Sequence, residues 1–195
     1  MRARNRDGLS DYRQWPIPGD VSCCWLLHDP LVSGWLSRRH YIWAMTWVRS
    51  DGYLVTDDQQ RIDIAQIHHW LSEESYWAAG GSKDPVSKSV RSSITLGCLG
   101  PVGAQVGVTR PVTDGSTFGL LTDVFVDDRY RGLGLGKSLV QPAVDHPEAR
   151  TVCRILLCTD DAHGLYRSID FVTLSNTERW LEWRPPSTPI SQSPE

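Results

Sequence analysis

Apolar positions along the chain fall into short runs whose period changes from segment to segment. Gly52–Thr56 has the length and composition of a short strand. Ile64, Ile67 and Leu71 then recur at i, i+3 and i+7, which puts them on one face of a helix, with Asp63 placed to cap it. Asp84–Pro85 opens a second short helix, because proline at a first helical position forfeits no hydrogen bond, and Val86 and Val90 lie one turn apart on it. Ile94–Leu99 and Gln105–Thr109 read as strands joined through Gly100–Gly103, a hairpin pattern. Phe118–Val126 is the longest strand candidate, and a glycine-rich turn separates it from a helix over Gly136–Val144. Arg154–Thr159 predicts a strand, Ala162–Ser168 a short helix, Phe171–Leu174 another strand, and Trp180–Trp183 an added edge. The order β-α-α-β-β-β-α-β-α-β describes an α/β domain, antiparallel at first and locally parallel later.

This pattern covers residues 49–184. Residues 1–48 carry Trp15, Trp25, Trp35 and Trp43 among scattered arginines and prolines, with no sustained period of 3.6 or 2. They read as an irregular or disordered extension, as sequence upstream of a start at Met45, or, less favoured, as an interaction arm. Residues 185–195 are rich in proline and serine and read as a flexible tail.

With 40% hydrophobic and 22% charged residues the chain has the composition of a soluble globular protein. A formal charge of -3 argues against a chain-wide surface for nucleic acid or anionic membrane. The apolar stretch Cys23–Leu27 is far too short to span a bilayer. The five cysteines form no CxxC pair and follow no secretory signal, so reduced thiols in a cytoplasmic protein are the expectation. His68, His69 and His163 match no metal-binding pattern, and no metal is expected.

The chemistry is concentrated in Asp127-Asp128-Arg129-Tyr130-Arg131-Gly132-Leu133-Gly134-Leu135-Gly136-Lys137-Ser138, between a strand and a helix. Glycines let the backbone turn sharply and approach a ligand closely, and the first N–H groups of the following helix favour an anion. Arg131 and Lys137 add positive charge at either edge. A GxxxxGK[ST] phosphate loop fails because its first glycine would fall on Arg131. A GxGxxG dinucleotide fingerprint fails because its third glycine would fall on Lys137 or Leu139.

The loop does fill (Q/R)xxGx(G/A), with Arg131, Gly134 and Gly136, and again with Arg129, Gly132 and Gly134. Upstream lies Leu121-Thr122-Asp123-Val124-Phe125-Val126-Asp127, and downstream Ala162-His163-Gly164-Leu165-Tyr166-Arg167-Ser168-Ile169-Asp170-Phe171. Together these resemble the acetyl-CoA site of the GNAT N-acetyltransferase superfamily, and the stretch from Ser75-Tyr76-Trp77-Ala78 to Leu174 resembles its small bacterial members. The resemblance covers roughly residues 50–183. It departs from the family at Asp170, where a glycine is usual, and at Thr159, where an asparagine is common.

The resemblance implies a mixed central sheet flanked by helices and transfer of an acetyl group from acetyl-CoA to a primary amine of a small molecule. It assigns cofactor binding to Arg131, Gly132, Leu133, Gly134, Leu135, Gly136, Lys137 and Ser138 around the pyrophosphate. Val124, Phe125, Val126 and Thr159 are assigned to the pantetheine arm. Tyr166 matches the tyrosine that protonates the leaving thiolate, and Asp123 is the leading candidate for the base. Tyr76, Trp77 and Arg110 are candidates for the acceptor site. A non-catalytic acyl-CoA-binding module and an acyltransferase acting on a protein amine are the alternatives. A homodimer through an edge strand is possible within this fold.

Overall fold

The computed structural model describes residues 44–186. The readings made above for residues 1–43 and 187–195 lie outside the described residues. The strands are β1 (Thr46–Val48), β2 (Leu54–Thr56), β3 (Leu96–Leu99), β4 (Gln105–Thr113), β5 (Phe118–Val126) and β6 (Arg154–Leu156). The helices are α1 (Ile64–His69), α2 (Lys83–Ser92), α3 (Leu135–Asp145) and α4 (His163–Arg167). The strands form one sheet in the order β1-β2-β3-β4-β5-β6. Neighbours are antiparallel from β1 to β5, and β6 joins β5 in parallel. The expected change from antiparallel to parallel pairing thus falls at the β5–β6 pair.

Each face of the sheet carries its own core. On one, α3 and α4 bring Leu135, Leu139, Val140, Ala143 and Tyr166 against Val55, Leu96, Cys98, Val106 and Leu121. On the other, Ile67 of α1 and Val90 of α2 pack with Trp70, Leu71, Val108 and Phe125. The predicted α1 face is the buried one, and Asp63 caps the helix by accepting from the Gln66 N–H at 3.0 Å. Beyond His69 the helix widens into a π turn over Trp70–Glu74, in which Ser75 N–H donates to Trp70 O. Trp70 there stacks on Phe125 with centroids 5.3 Å apart.

Some elements differ from the sequence expectation. β1, for which the chain shows no period, pairs with β2 through Thr46↔Thr56 and Val48↔Leu54. β6 stops at Leu156 instead of Thr159, and neither Phe171–Leu174 nor Trp180–Trp183 forms a strand. Val172 is 87% exposed, Leu181 95% and Trp183 80%, whereas Phe171 packs on the α3 core and meets the Tyr166 ring edge-on. Among the described cysteines Cys98 and Cys158 are free thiols, whereas Cys153 is disulfide-bonded, so the expectation of uniformly reduced thiols is corrected at that position. Among the described residues no helix is long and apolar enough to cross a membrane.

Candidate functional site

The site begins at an irregularity in the longest pair of strands. Val108 pairs with Phe125 and Arg110 with Thr122, so Asp123 and Val124 together oppose Thr109. This is a β-bulge, in which one extra residue sharpens the local twist. Asp123 takes φ +53°, left-handed backbone that aspartate tolerates better than most residues. The extra residue inverts the alternation of β5: Leu121 faces the α3 core, whereas Phe125, four residues on, faces the α1 core. Beside the bulge the sheet opens. β5 and β6 pair only through Phe118↔Arg154, Gly119↔Ile155 and Leu120↔Leu156. Past those pairs the strands part, and a cleft of ≈480 Å³ lies between Leu120–Val124 and Cys158–Ala162, with Tyr76, Trp77 and Tyr166 also in its walls.

The glycine loop lies between the end of β5 and the start of α3. Gly132 and Gly134 have φ of +77° and +73°, values that side-chain-bearing residues adopt only under strain. Gly134 is the N-cap of α3, and Ser138 N–H makes the first return bond to Gly134 O at 3.2 Å. The N–H groups of Leu135, Gly136 and Lys137 therefore have no acceptor within the helix, the arrangement that receives an anion. Gly136 lets α4 pack closely: a Cβ there would meet Leu165 Cδ2 at 3.1 Å, so that side chain would have to shift. Close α3–α4 approach keeps Tyr166 beside the loop's helix.

The loop's cations are already engaged. Arg129 forks onto Asp127 (Nε–Oδ1 3.0 Å, NH2–Oδ2 2.7 Å) and holds that carboxyl below the usual carboxylate range. Arg131 pairs with Asp128, donates to Val126 O and lies over the Phe125 ring. Lys137 Nζ donates to Ser168 O at 3.2 Å, joining α3 to the end of α4. A residue absent from the sequence reading completes the loop. Arg49, just past β1, donates to Ser138 Oγ (2.7 Å) and Leu133 O (3.0 Å) while pairing with Asp51. With 84 residues separating Arg49 from Leu133, no local pattern could have signalled that contact.

Tyr166 is 8% exposed, and its hydroxyl has no hydrogen-bond partner among the described residues. Burial pushes the phenol up to about 12, and nearby Asp161 and Tyr76 add to the rise. Tyr76 closes the cleft from the other side, where its hydroxyl accepts the Asp160 N–H at 3.3 Å and its ring meets Trp77 edge-on at 4.9 Å. Thr159 also lies in the wall, and its Oγ1 accepts the Ala162 N–H at 3.1 Å ahead of α4. Asp170, φ +65°, occupies the left-handed residue after α4, and Phe171 N–H reaches back to Tyr166 O at 3.1 Å. The turn keeps the geometry that a glycine there would give.

Asp123 and Arg110, read separately in the sequence, are partners. Arg110 Nε meets Asp123 Oδ2 at 2.7 Å with the side chains 15% and 11% exposed. Ser93 Oγ takes a second guanidinium bond, and Thr122 Oγ1 donates to the other carboxylate oxygen. Asp123 still borders the cleft, but Arg110 is not among its lining residues. Phe125 turns to the α1 core, leaving Val124 as the β5 residue of the expected trio in the cleft wall. Among the described residues no group of three or more His, Cys, Asp or Glu side chains is placed to hold a metal.

Comparison with known proteins agrees with this geometry. Residues 97–173, from β3 to just past α4, match the acetyltransferase (GNAT) domain family. A Gibberella zeae protein described as a "putative acetyltransferase" is 34% identical over 139 residues, spanning 60% of this chain and 77% of that one. The crystal structure of a Xanthomonas campestris protein, described as a "putative acetyltransferase belonging to the gnat family", superposes with TM-score 0.65 at 33% identity. The match covers 70% of this chain and 97% of that one. A GNAT-family acetyltransferase of Streptococcus pneumoniae shares the fold at 23% identity and TM-score 0.52, over 73% and 100% of the two chains. By this fold, this loop and these relatives, the chain belongs to the GNAT acetyltransferases.

Proposed function

We propose that the protein transfers an acetyl group from acetyl-CoA to a primary amine of a small molecule, with Tyr166 as general acid. The observation that carries this reading is the cleft where β5 and β6 part. The unpaired edge of β5 forms one wall, and Tyr166, whose hydroxyl has no hydrogen-bond partner among the described residues, lines it. The residues fit acetyl-CoA. The left-handed glycines leave room for a pyrophosphate where side chains would intrude. The strand edge from Leu121 to Val126 offers backbone hydrogen bonds to the amides of a pantetheine arm.

Acetyl-CoA supplies a thioester whose carbonyl carbon accepts the amine and whose sulfur departs with the C–S electron pair. The chain's own groups do the rest. The bulge at Asp123–Val124 turns the β5 backbone toward the cleft, where an N–H polarises the carbonyl oxygen. Tyr166, held protonated by its raised pKa, gives its proton to the departing sulfur and is reprotonated from the cleft. The proton that the acceptor nitrogen loses passes to water at the open mouth. Asp123, which the sequence offered as base, is read here as support for the bulge, because Arg110 occupies its carboxylate.

Replacing Tyr166 with Phe tests the reading. A thiol-release assay with a panel of amines is expected to show kcat down about 10²-fold, with acetyl-CoA affinity unchanged by calorimetry. Full activity in the variant would remove Tyr166 from the chemistry. Binding of acetyl-CoA without turnover of any amine by the parent would favour the non-catalytic module.

A further inference from the structure

We infer that the acceptor is a cationic diamine: a molecule carrying a second ammonium group besides the one acetylated. The inference rests on the transferase reading above and concerns what else the cleft binds. Among the described residues, four acidic or basic side chains border the cleft: Asp123, Asp160, Asp161 and Arg184. Two are already neutralised, Asp123 by Arg110 at 2.7 Å and Arg184 by Glu182 at 2.9 Å. Asp160 and Asp161 remain, with no ion pair and no hydrogen bond to either carboxylate among the described residues. Among the described residues the cleft therefore presents two uncompensated negative charges and no free cation.

Acidic residues at an exposed rim are ordinarily just solvated, and here two further features give them a ligand to meet. One is Tyr166, a residue only 8% exposed, whose hydroxyl has no hydrogen-bond partner among the described residues and which lines the same cleft. The other is the aromatic wall. Tyr76 and Trp77 remain 49% and 40% exposed although they border a concave site, and ring faces attract alkylammonium groups. The Asp160 backbone N–H is tied to the Tyr76 hydroxyl, so the segment that carries the carboxylates is joined to the aromatic wall. A primary amine entering beside Tyr166 thus has acidic groups within the same cleft for a second ammonium and aromatic rings for the alkyl chain between them. A carboxylate or phosphate on the acceptor would meet only repulsion.

The test compares, at low salt, α,ω-diaminoalkanes of four to six carbons, monoamines of equal length and ω-amino acids of equal length. Thiol release gives kcat/KM, and calorimetry gives the affinity of each amine for the protein saturated with CoA. Exposed ion pairs of this kind predict a preference for diamine over monoamine of about twofold to fivefold. That preference should shrink in 0.5 M salt as screening shortens. The Asp160→Asn/Asp161→Asn variant should lose it, and its acetyl-CoA affinity, read in the same instrument, reports whether it has folded. Equal turnover of monoamines and diamines, or preference for the ω-amino acids, would overturn the inference and leave acetyl transfer standing. Selective diamine binding without turnover would overturn the transferase reading and, with it, the diamine's role as acceptor.

Discussion

The Arg110–Asp123 pair decides whether Asp123 supports the site or reacts in it, and Asp123→Asn separates the two. Asparagine keeps the shape and tolerates φ +53°, so the substitution removes charge and little else. The guanidinium, which loses its carboxylate, is 15% exposed and keeps Ser93 Oγ, at 3.3 Å, and the new amide oxygen as side-chain acceptors. Breaking a fully buried pair costs about 3–5 kcal/mol. Residual exposure, the serine and the new amide oxygen reduce that here to about 2 kcal/mol. Against a total stability of about 5–15 kcal/mol, such a loss is readily measured in urea, and it lowers Tm by about 6 °C for a domain of this size. Neutralising the partner as well, in Arg110→Gln/Asp123→Asn, should recover about half the loss, because no charge is then buried alone. Acetyl-CoA affinity should fall in the single variant, since the bulge that shapes the β5 edge loosens. The reasoning is refuted if Asp123→Asn keeps its stability within about 0.5 kcal/mol of the parent while kcat collapses. That result would return Asp123 to the role of base.

Three other perturbations follow from particular contacts. Burial raises the Tyr166 phenol to about 12, so the limb of the kcat/KM profile that reports loss of the acid should lie above pH 11; a decline centred near pH 8 to 9 would point to a different donor. Asp170→Gly should raise stability by about 0.5–1 kcal/mol in urea denaturation, because relief of left-handed strain exceeds the added freedom of the unfolded chain. Asp114, in the β4–β5 turn, accepts from the N–H groups of Ser116, Thr117 and Phe118 and from the Thr117 hydroxyl, which hold its carboxyl far below the usual range. A depressed folded pKa contributes stability above the unfolded pKa of about 4 and loses it as pH falls below that value. The urea midpoint should thus decline below pH 4 in the parent, and more gently in Asp114→Asn.

The central frame could be read in the chain because its signals are local. β3, β4 and β5 are apolar runs bounded by glycine turns, and α1 and α3 carry buried stripes at helical spacing. The left-handed demand at Gly132 and Gly134 is written into residue type. What stayed hidden depends on neighbours distant in sequence. β1 is three residues with outward-facing ends and exists because β2 offers it an edge. The bulge sits on an aspartate at positive φ, a conformation fixed by Arg110 and the β4 register rather than by any residue preference. Phe171–Leu174 and Trp180–Trp183 have the composition of strands, yet Phe171 joins the core and Trp180 meets Arg154 of β6 through its side chain without strand pairing, so composition misled there. Arg49 is an ordinary surface arginine until the fold brings Leu133 and Ser138 to it.

The central claim is that the loop from Arg131 to Ser138 binds acetyl-CoA, and calorimetric titration of acetyl-CoA into the full chain tests it most directly, beside a Gly134→Asp/Gly136→Asp variant. The Gly134 change forces a side chain onto left-handed backbone, the Gly136 change presses on Leu165, and both place negative charge at the start of α3. One site of roughly micromolar affinity is expected in the parent and no detectable binding in the variant, with ligand at a hundredfold excess over Kd stabilising the parent by about 2.7 kcal/mol. Absence of binding by the folded parent, or equal binding by the folded variant, would contradict the account.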